Sequence, residues 1–169
     1  MLSIHLPQSV YPFLSNNFLY LTYRNSFDSY YFSRQAADAA AAFGAAAPKI
    51  LAVTVLTSLD QSDLADVGIV GRTPADQVKA MASFATANGA DGLVCSPKEV
   101  GELSRALKAG TLFITPGVRP AGAAVGDQKR VATPADAVRD GATHLVVGRP
   151  ILAAEDPVAA ALAIRAEMG

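Results

Sequence analysis

The chain is poor in the residue types that staple small folds or carry much of enzyme chemistry. It has one cysteine, two histidines and no tryptophan in 169 residues. A single thiol, Cys95, excludes an internal disulfide framework, and its place in an apolar run reads as a small buried hydrophobe. His5 and His144 lie far apart in sequence, so neither a paired-histidine metal site nor a histidine base beside Ser58 or Ser96 is indicated. His144 reads as structural. An excess of charge is missing as well: 14 basic against 15 acidic residues leave a net charge of -1. The cations are scattered, so there is no field with which to grip nucleic acid. No run approaches the roughly 20 apolar residues of a membrane span, and the first residues lack a basic stretch followed by an apolar core. Nucleic-acid and membrane partners are therefore not expected, and a cytoplasmic setting is compatible. The glycines from Gly117 to Gly126 fit neither G-x-G-x-x-G nor a P-loop. Asp60, Asp63 and Asp66 read as a solvated helix face rather than a metal site.

What is present describes a soluble domain, 51% hydrophobic and 17% charged, able to bury a core. Composition breaks near residue 33. All five tyrosines and four of the seven phenylalanines precede the break, and alanine, valine, glycine and aspartate dominate after it. About 33 residues are too few for an independent core. Residues 1–33 therefore read as an unmatched aromatic-rich leader: a product of truncation, wrong start or shifted frame, a lineage-specific extension, or an aromatic binding arm.

From Arg34 onward, helix and strand signals alternate. Thr73-Pro74-Ala75-Asp76, Ser96-Pro97-Lys98-Glu99 and Thr133-Pro134-Ala135-Asp136 each set a hydroxyl at the N-cap, proline at the first helical position and a carboxylate at the third. Asp156-Pro157 repeats the cap and proline. The hydroxyl accepts from orphan backbone N–H groups, proline has no N–H to lose, and the carboxylate suits the positive helix end. Gly89, Gly110 and Gly141 fall where these helices should stop. Between the helices lie four short apolar runs, Ile50 to Val55, Gly92 to Cys95, Leu112 to Ile114 and Leu145 to Val147. Their near-continuous apolarity fits buried parallel strands in a βαβ rhythm. Parallel strands share one carboxyl end, which gathers Thr57-Ser58, Ser96, Thr115 to Arg119 and Gly148-Arg149 at a single rim. A complete eightfold barrel needs roughly 200 residues or more. The expected fold is thus a partial TIM (β/α)8 barrel, its strands five to eight with their helices, over residues 34–169.

At these rim residues the chain resembles bacterial orotidine 5'-monophosphate decarboxylase. Leu51-Ala52-Val53-Thr54-Val55-Leu56-Thr57-Ser58 is similar to the family's fifth strand and Asp91-Gly92-Leu93-Val94-Cys95-Ser96 to its sixth. Phe113-Ile114-Thr115-Pro116-Gly117-Val118-Arg119-Pro120 is similar to the seventh and Val146-Val147-Gly148-Arg149-Pro150 to the eighth, with Gly126-Asp127-Gln128-Lys129-Arg130 as the loop motif. The resemblance covers residues 34 to 169 and none of the first 33.

The resemblance implies conversion of orotidylate to uridylate and CO2 without a cofactor, in pyrimidine biosynthesis, on a small-molecule nucleotide, by a homodimer. It implies that Arg149 and the N–H of Gly148 hold the substrate phosphate, that Arg119 adds charge to it, that Gln128 bridges phosphate and pyrimidine, and that Thr57 bonds near base and ribose. Guanidinium supplies a fixed fork of donors, and glycine lets backbone approach an anion. The glycines of the loop from Gly117 to Asp127 suit a segment that closes over ligand. The family's catalytic Asp-x-Lys-x-x-Asp motif is missing: none of Lys49, Lys79, Lys98, Lys108 and Lys129 has that spacing. The expectation is a decarboxylase by family whose catalytic Lys/Asp network is absent. The alternatives are a non-catalytic phosphate-binding half-barrel and a related sugar-phosphate decarboxylase. Without strands one to four, exposed sheet edges and an open inner face predict marginal stability.

Overall fold

The computed structural model describes residues 18–21, 26–120 and 131–169, with backbone alone for residues 18–21 and 26–33. Five strands form one parallel sheet in sequence order: β1 (Phe18–Leu21), β2 (Lys49–Val53), β3 (Gly92–Val94), β4 (Leu112–Thr115) and β5 (His144–Leu145). The helices that connect or follow them are α1 (Ser26–Ala41), α2 (Gln61–Asp66), α3 (Pro74–Ala87), α4 (Pro97–Ala106), α5 (Pro134–Arg139), α6 (Arg149–Leu152) and α7 (Pro157–Glu167). The four expected strands are all present. Strand order that follows chain order, with helices between parallel neighbours, is the winding of a barrel wall.

The expected strand ends shift for local reasons. β2 stops at Val53 because Thr54 leaves the regular ladder and sends both its N–H (3.0 Å) and its hydroxyl (2.8 Å) to the Val94 carbonyl. β5 is shorter than the apolar run Leu145 to Val147, and it starts one residue earlier. Thr143 explains the early start: its hydroxyl accepts from Phe113 N–H (2.9 Å) and donates to Phe113 O (3.1 Å), completing the ladder by side chain. The leader contributes a fifth strand, since β1 pairs with β2 in the register Phe18↔Lys49 to Leu21↔Ala52. The residue 33–34 boundary lies inside α1, which packs on β2 and α3.

Register sorts the side chains into two layers. Ala52, Leu93 and Phe113 are aligned across β2, β3 and β4. They join Val78 of α3, Val100 and Leu103 of α4 and Ala137 of α5 in one buried cluster. Each large apolar side chain so buried contributes about 1.5–3 kcal/mol. Val53, Val94, Ile114 and His144 align on the opposite face, the one that would line a barrel interior. The expected open inner face is only partly found: Leu51 and Ile114 are almost fully buried, whereas His144 is exposed. Gly92 allows the close approach this layer needs, because a Cβ there would sit 2.6 Å from Leu112 Cβ and 3.0 Å from Leu51 Cδ2. At the amino end, Asp91 clamps β2, accepting from Ile50 N–H and from Lys49 Nζ, each at 2.8 Å.

All four expected helix starts form as caps. Thr73, Ser96, Thr133 and Asp156 accept from Asp76, Lys98, Asp136 and Ala159 N–H respectively. Gly89 and Gly141 follow α3 and α5 with φ of +94° and +111°. Gly110 departs from expectation: α4 already ends at Ala106, with Leu107 extended at its C-cap, and Gly110 serves the turn before β4. The Asp60 and Asp63 carboxylates also differ from a bare solvated face. Asp60 accepts from Ser62 and Asp63 N–H while Asp63 accepts from Asp60 N–H, a reciprocal cap on α2. That occupies them structurally.

The caps make a pH-dependent prediction. The Thr133 hydroxyl, 2.8 Å away, and the Arg139 guanidinium, 2.7 Å away, hold the Asp136 carboxyl below the usual range. Thr73 does the same to Asp76. Since the folded-state values are depressed, the stabilisation is complete above the ordinary carboxylate value of about 4 and is lost as pH falls through the folded value. In an NMR titration, Thr133→Val should raise the Asp136 midpoint towards the ordinary value. An unmoved midpoint would show that the hydroxyl does not set it.

Candidate functional site

The carboxyl ends of β2 to β5 face one side because the strands are parallel, and each is extended by a further backbone bond before it turns. Thr54 N–H reaches Val94 O, Cys95 N–H reaches Ile114 O (3.2 Å), and Val146 N–H reaches Thr115 O (3.0 Å). These bonds hold the strand tips side by side and fix where the rim residues emerge.

After β2, Thr57 sits buried in a turn closed by Leu59 N–H to Leu56 O at 3.0 Å. After β4, Pro116 leads into Gly117, whose φ of +79° turns the chain as a side chain would resist. Val118 then pairs with Ala132 as an isolated parallel bridge, and Arg119 N–H donates to Ala132 O at 3.0 Å. Arg119 is 8% exposed, and its Nη1 donates to the Val118 carbonyl at 2.8 Å. A cation is thereby held against the rim by its own backbone. After β5, Gly148 is the N-cap of the four-residue α6, its carbonyl accepting from Ile151 and Leu152 N–H. Gly148 and Arg149 are both exposed, and a Cβ at Gly148 would meet nothing within 4 Å. Thr57, Arg119, Gly148 and Arg149 thus all emerge at the carboxyl side of the sheet. Gln128, with most of the loop from Gly117 to Asp127, lies outside the described residues.

Other side chains singled out in the sequence have structural occupations. Ser96 is buried and caps α4, and Cys95 is buried in the core cluster. His144 opens β5, with Nδ1 3.0 Å from the Thr143 hydroxyl. Lys49 pairs with Asp91 at the amino end, and Lys79 with Glu102 (2.7 Å) between α3 and α4; Lys129 falls outside the described residues. A cavity of about 220 Å³ also lies at the amino end, among Ala37, Pro48, Lys49 and Gly89, away from the rim.

The sequence places Thr115 on the rim but assigns it no role of its own. Its hydroxyl, at the tip of β4, is fully buried and has no hydrogen-bond partner. Register with Leu145, which packs against the helix-side core, turns it away from the interior face. Only its burial under the helices reveals it, which a β-branched residue in an apolar run does not announce.

Comparison with known proteins places this geometry. Residues 32–164 match the model of the orotidine 5'-phosphate decarboxylase / HUMPS family. The orotidine 5'-phosphate decarboxylase of Halorhodospira halophila is 58% identical over 119 residues, 70% of this chain and 50% of that protein. That of Moorella thermoacetica is 53% identical over 132 residues, 78% of this chain and 52% of its own length. The crystal structure of orotidine 5'-phosphate decarboxylase from Lactobacillus acidophilus superposes with a TM-score of 0.73 at 35% identity, over 90% of this chain and 63% of that one. An uncharacterized conserved protein from Geobacillus kaustophilus shares the fold, with a TM-score of 0.60 at 23% identity, over 90% and 75% of the two chains. The chain spans about half the length of the curated relatives it matches.

A buried hydroxyl without a partner costs about 1–3 kcal/mol. Thr115→Val should therefore leave the unliganded protein as stable or raise its stability by about 1 kcal/mol in urea unfolding. A loss above that size would mean that the hydroxyl has a partner in solution.

Proposed function

Because the chain belongs to the orotidine 5'-phosphate decarboxylase / HUMPS family, we propose that it carries the phosphate-gripping portion of an orotidylate decarboxylase and lacks the portion that performs the chemistry. In this reading residues 34–169 are the carboxyl-terminal half of the barrel, and residues 1–33 are a leader outside the family's pattern whose β1 adds to the edge of the sheet. Arg149 and the Gly148 N–H bind the nucleotide phosphate, Arg119 adds a second cation, Gln128 spans phosphate and pyrimidine, and Thr57 bonds near the base and ribose. The ligand class is a pyrimidine nucleotide, no cofactor is needed, and the setting is cytoplasmic.

One observation carries the reading: the rim at the carboxyl ends of parallel strands presents a glycine at a strand-to-helix turn with two arginines, the donors a phosphate dianion needs. Loss of CO2 from C6 leaves an electron pair on carbon that must be stabilised and then protonated. An ammonium group among carboxylates suits that task. Each described lysine lies elsewhere: Lys49 at the amino end, Lys79 on α3, Lys98 and Lys108 in and after α4. Binding without turnover follows. Both curated relatives named above are orotidine 5'-phosphate decarboxylases, which favours a pyrimidine nucleotide over a sugar phosphate.

Two measurements test this. Purified chain supplied with orotidylate should form no uridylate above the uncatalysed background, and turnover at a rate comparable to a full-length relative would overturn the account. Uridylate should bind, and Arg149→Ala should weaken it at least about tenfold, the loss of one charge-assisted contact, while leaving the exposed position's contribution to stability within about 1 kcal/mol. Equal affinity in the two proteins would remove Arg149 from the site.

A further inference from the structure

Asparagine stands before glycine once in this chain, at Asn88–Gly89, and the end of α3 dictates the pair. Ala90 N–H donates to Ala85 O at 3.0 Å and Gly89 N–H to Thr86 O at 3.4 Å. These are the two reversed bonds of a Schellman turn, which needs a left-handed residue just after the cap. Gly89 supplies it with a φ of +94°, and a Cβ there would also lie 2.7 Å from Ala37 Cβ on α1. Any side chain is therefore strained at that position. Asn88 is the cap itself, and its side-chain Nδ2 donates to Phe84 O at 2.8 Å, satisfying a carbonyl that the helix end would leave over. The fold thus sets a neutral carboxamide directly before an exposed backbone nitrogen that no side chain shields.

We propose that Asn88 is a site of spontaneous covalent modification, converted to aspartate and isoaspartate by attack of the Gly89 nitrogen on Asn88 Cγ. The Gly89 N–H first gives its proton to base. The nitrogen then bonds to Cγ as the Cγ–Nδ2 bond breaks, and the leaving group departs as ammonia with a proton from solvent. Water adds to either carbonyl of the resulting five-membered succinimide. One water is consumed and one ammonia released, with no oxidant or reductant. Opening at one carbonyl gives aspartate, and at the other isoaspartate, whose main chain is longer by one carbon. The fold governs the rate. Ring closure needs Asn88 Cγ and Gly89 N side by side, which the cap's ψ of 24° does not allow, so Gly89 must leave the turn first. Its bond to Thr86 is longer than those of Asn88 and Ala90 N–H to Ala85 O, and a helix end opens far more readily than the whole domain.

The product cannot rebuild the cap. A carboxylate has no N–H for Phe84 O, and it adds negative charge where the helix carbonyls already point. The extra carbon of isoaspartate displaces Gly89 against Ala37 and shifts Asp91, whose carboxylate ties Lys49 and the Ile50 amide to the start of β3. Modification of one side chain therefore loosens both α3 and the amino end of the sheet. Asp91–Gly92 and Asp140–Gly141 also set glycine second, but an ionised carboxylate is a far poorer electrophile than a carboxamide. The inference does not rest on the decarboxylase reading.

Purified chain held at mildly alkaline pH should exchange NH2 for OH in the mass of the peptide containing Asn88, with isoaspartate identified by electron-transfer fragmentation. The rate should rise with pH, and at least about tenfold in urea, where the cap is gone. Asn88→Gln keeps a side-chain amide but would have to close a six-membered ring, so that position should stay unchanged. In the aged protein, amide hydrogen exchange at Gly89, Ala90 and Asp91 should be faster than in fresh protein. Three results would overturn the proposal: an intact Asn88 in the folded chain long after the chain in urea has converted, conversion of Asn88→Gln at the same rate, or aged protein whose Gly89, Ala90 and Asp91 amides exchange as before.

Discussion

The common direction of the strands is the constraint from which the rest follows. Parallel pairing from β1 to β5 places every carboxyl end on one side, so residues more than ninety positions apart, such as Thr57 and Arg149, reach a shared rim. The direction is enforced by chain connectivity, because each strand is followed by a helix that must return over the same face. It is maintained at the amino end by Asp91, which ties Lys49 and the Ile50 amide to the start of β3. At the carboxyl end, bonds from Thr54, Cys95 and Val146 carry the alignment past the last regular strand residue.

How much of this the sequence discloses depends on the range of the interaction. The helix starts at Thr73, Ser96, Thr133 and Asp156 are legible because an N-cap is settled within four residues. The buried strands are legible because both their faces are apolar, a pattern carried by the run itself. Strand lengths are not, since β5 ends at Leu145 although Val146 still bonds to Thr115 O, an end that no local pattern specifies. Gly110 shows the same limit from the other side: a glycine after a helical run suits either a cap or a later turn, and the end of α4 at Ala106 decides between them. Asp60 and Asp63 look solvated by spacing but are joined by a reciprocal cap. The pairing of Phe18–Leu21 with β2 was beyond reach, because its partner is about thirty residues away and β-pairing leaves no signature in one strand alone.

The candidate site was legible to a different degree at each residue. Gly148 and Arg149 stand out in the sequence because glycine followed by arginine at a strand-to-helix turn suits an anion, and the structure sets both at the carboxyl side of the sheet. Arg119 was found by motif, but its burial and its bond to the Val118 carbonyl depend on the Val118–Ala132 bridge, a contact between distant segments. Family membership rests on residues 32–164, the part whose strands and caps the sequence had already disclosed. That match begins at residue 32, inside α1, while the aromatic-rich segment before it supplies β1 at an edge of the sheet.

The most direct test of the central claim is an NMR titration of backbone amides with uridylate, using uridine as the control without phosphate. The account predicts saturable shifts at Thr57, Arg119, Gly148 and Arg149 with uridylate, and almost none with uridine at the same concentration. Shifts centred on Lys49 and Asp91 at the amino end, or equal responses to the two ligands, would contradict it.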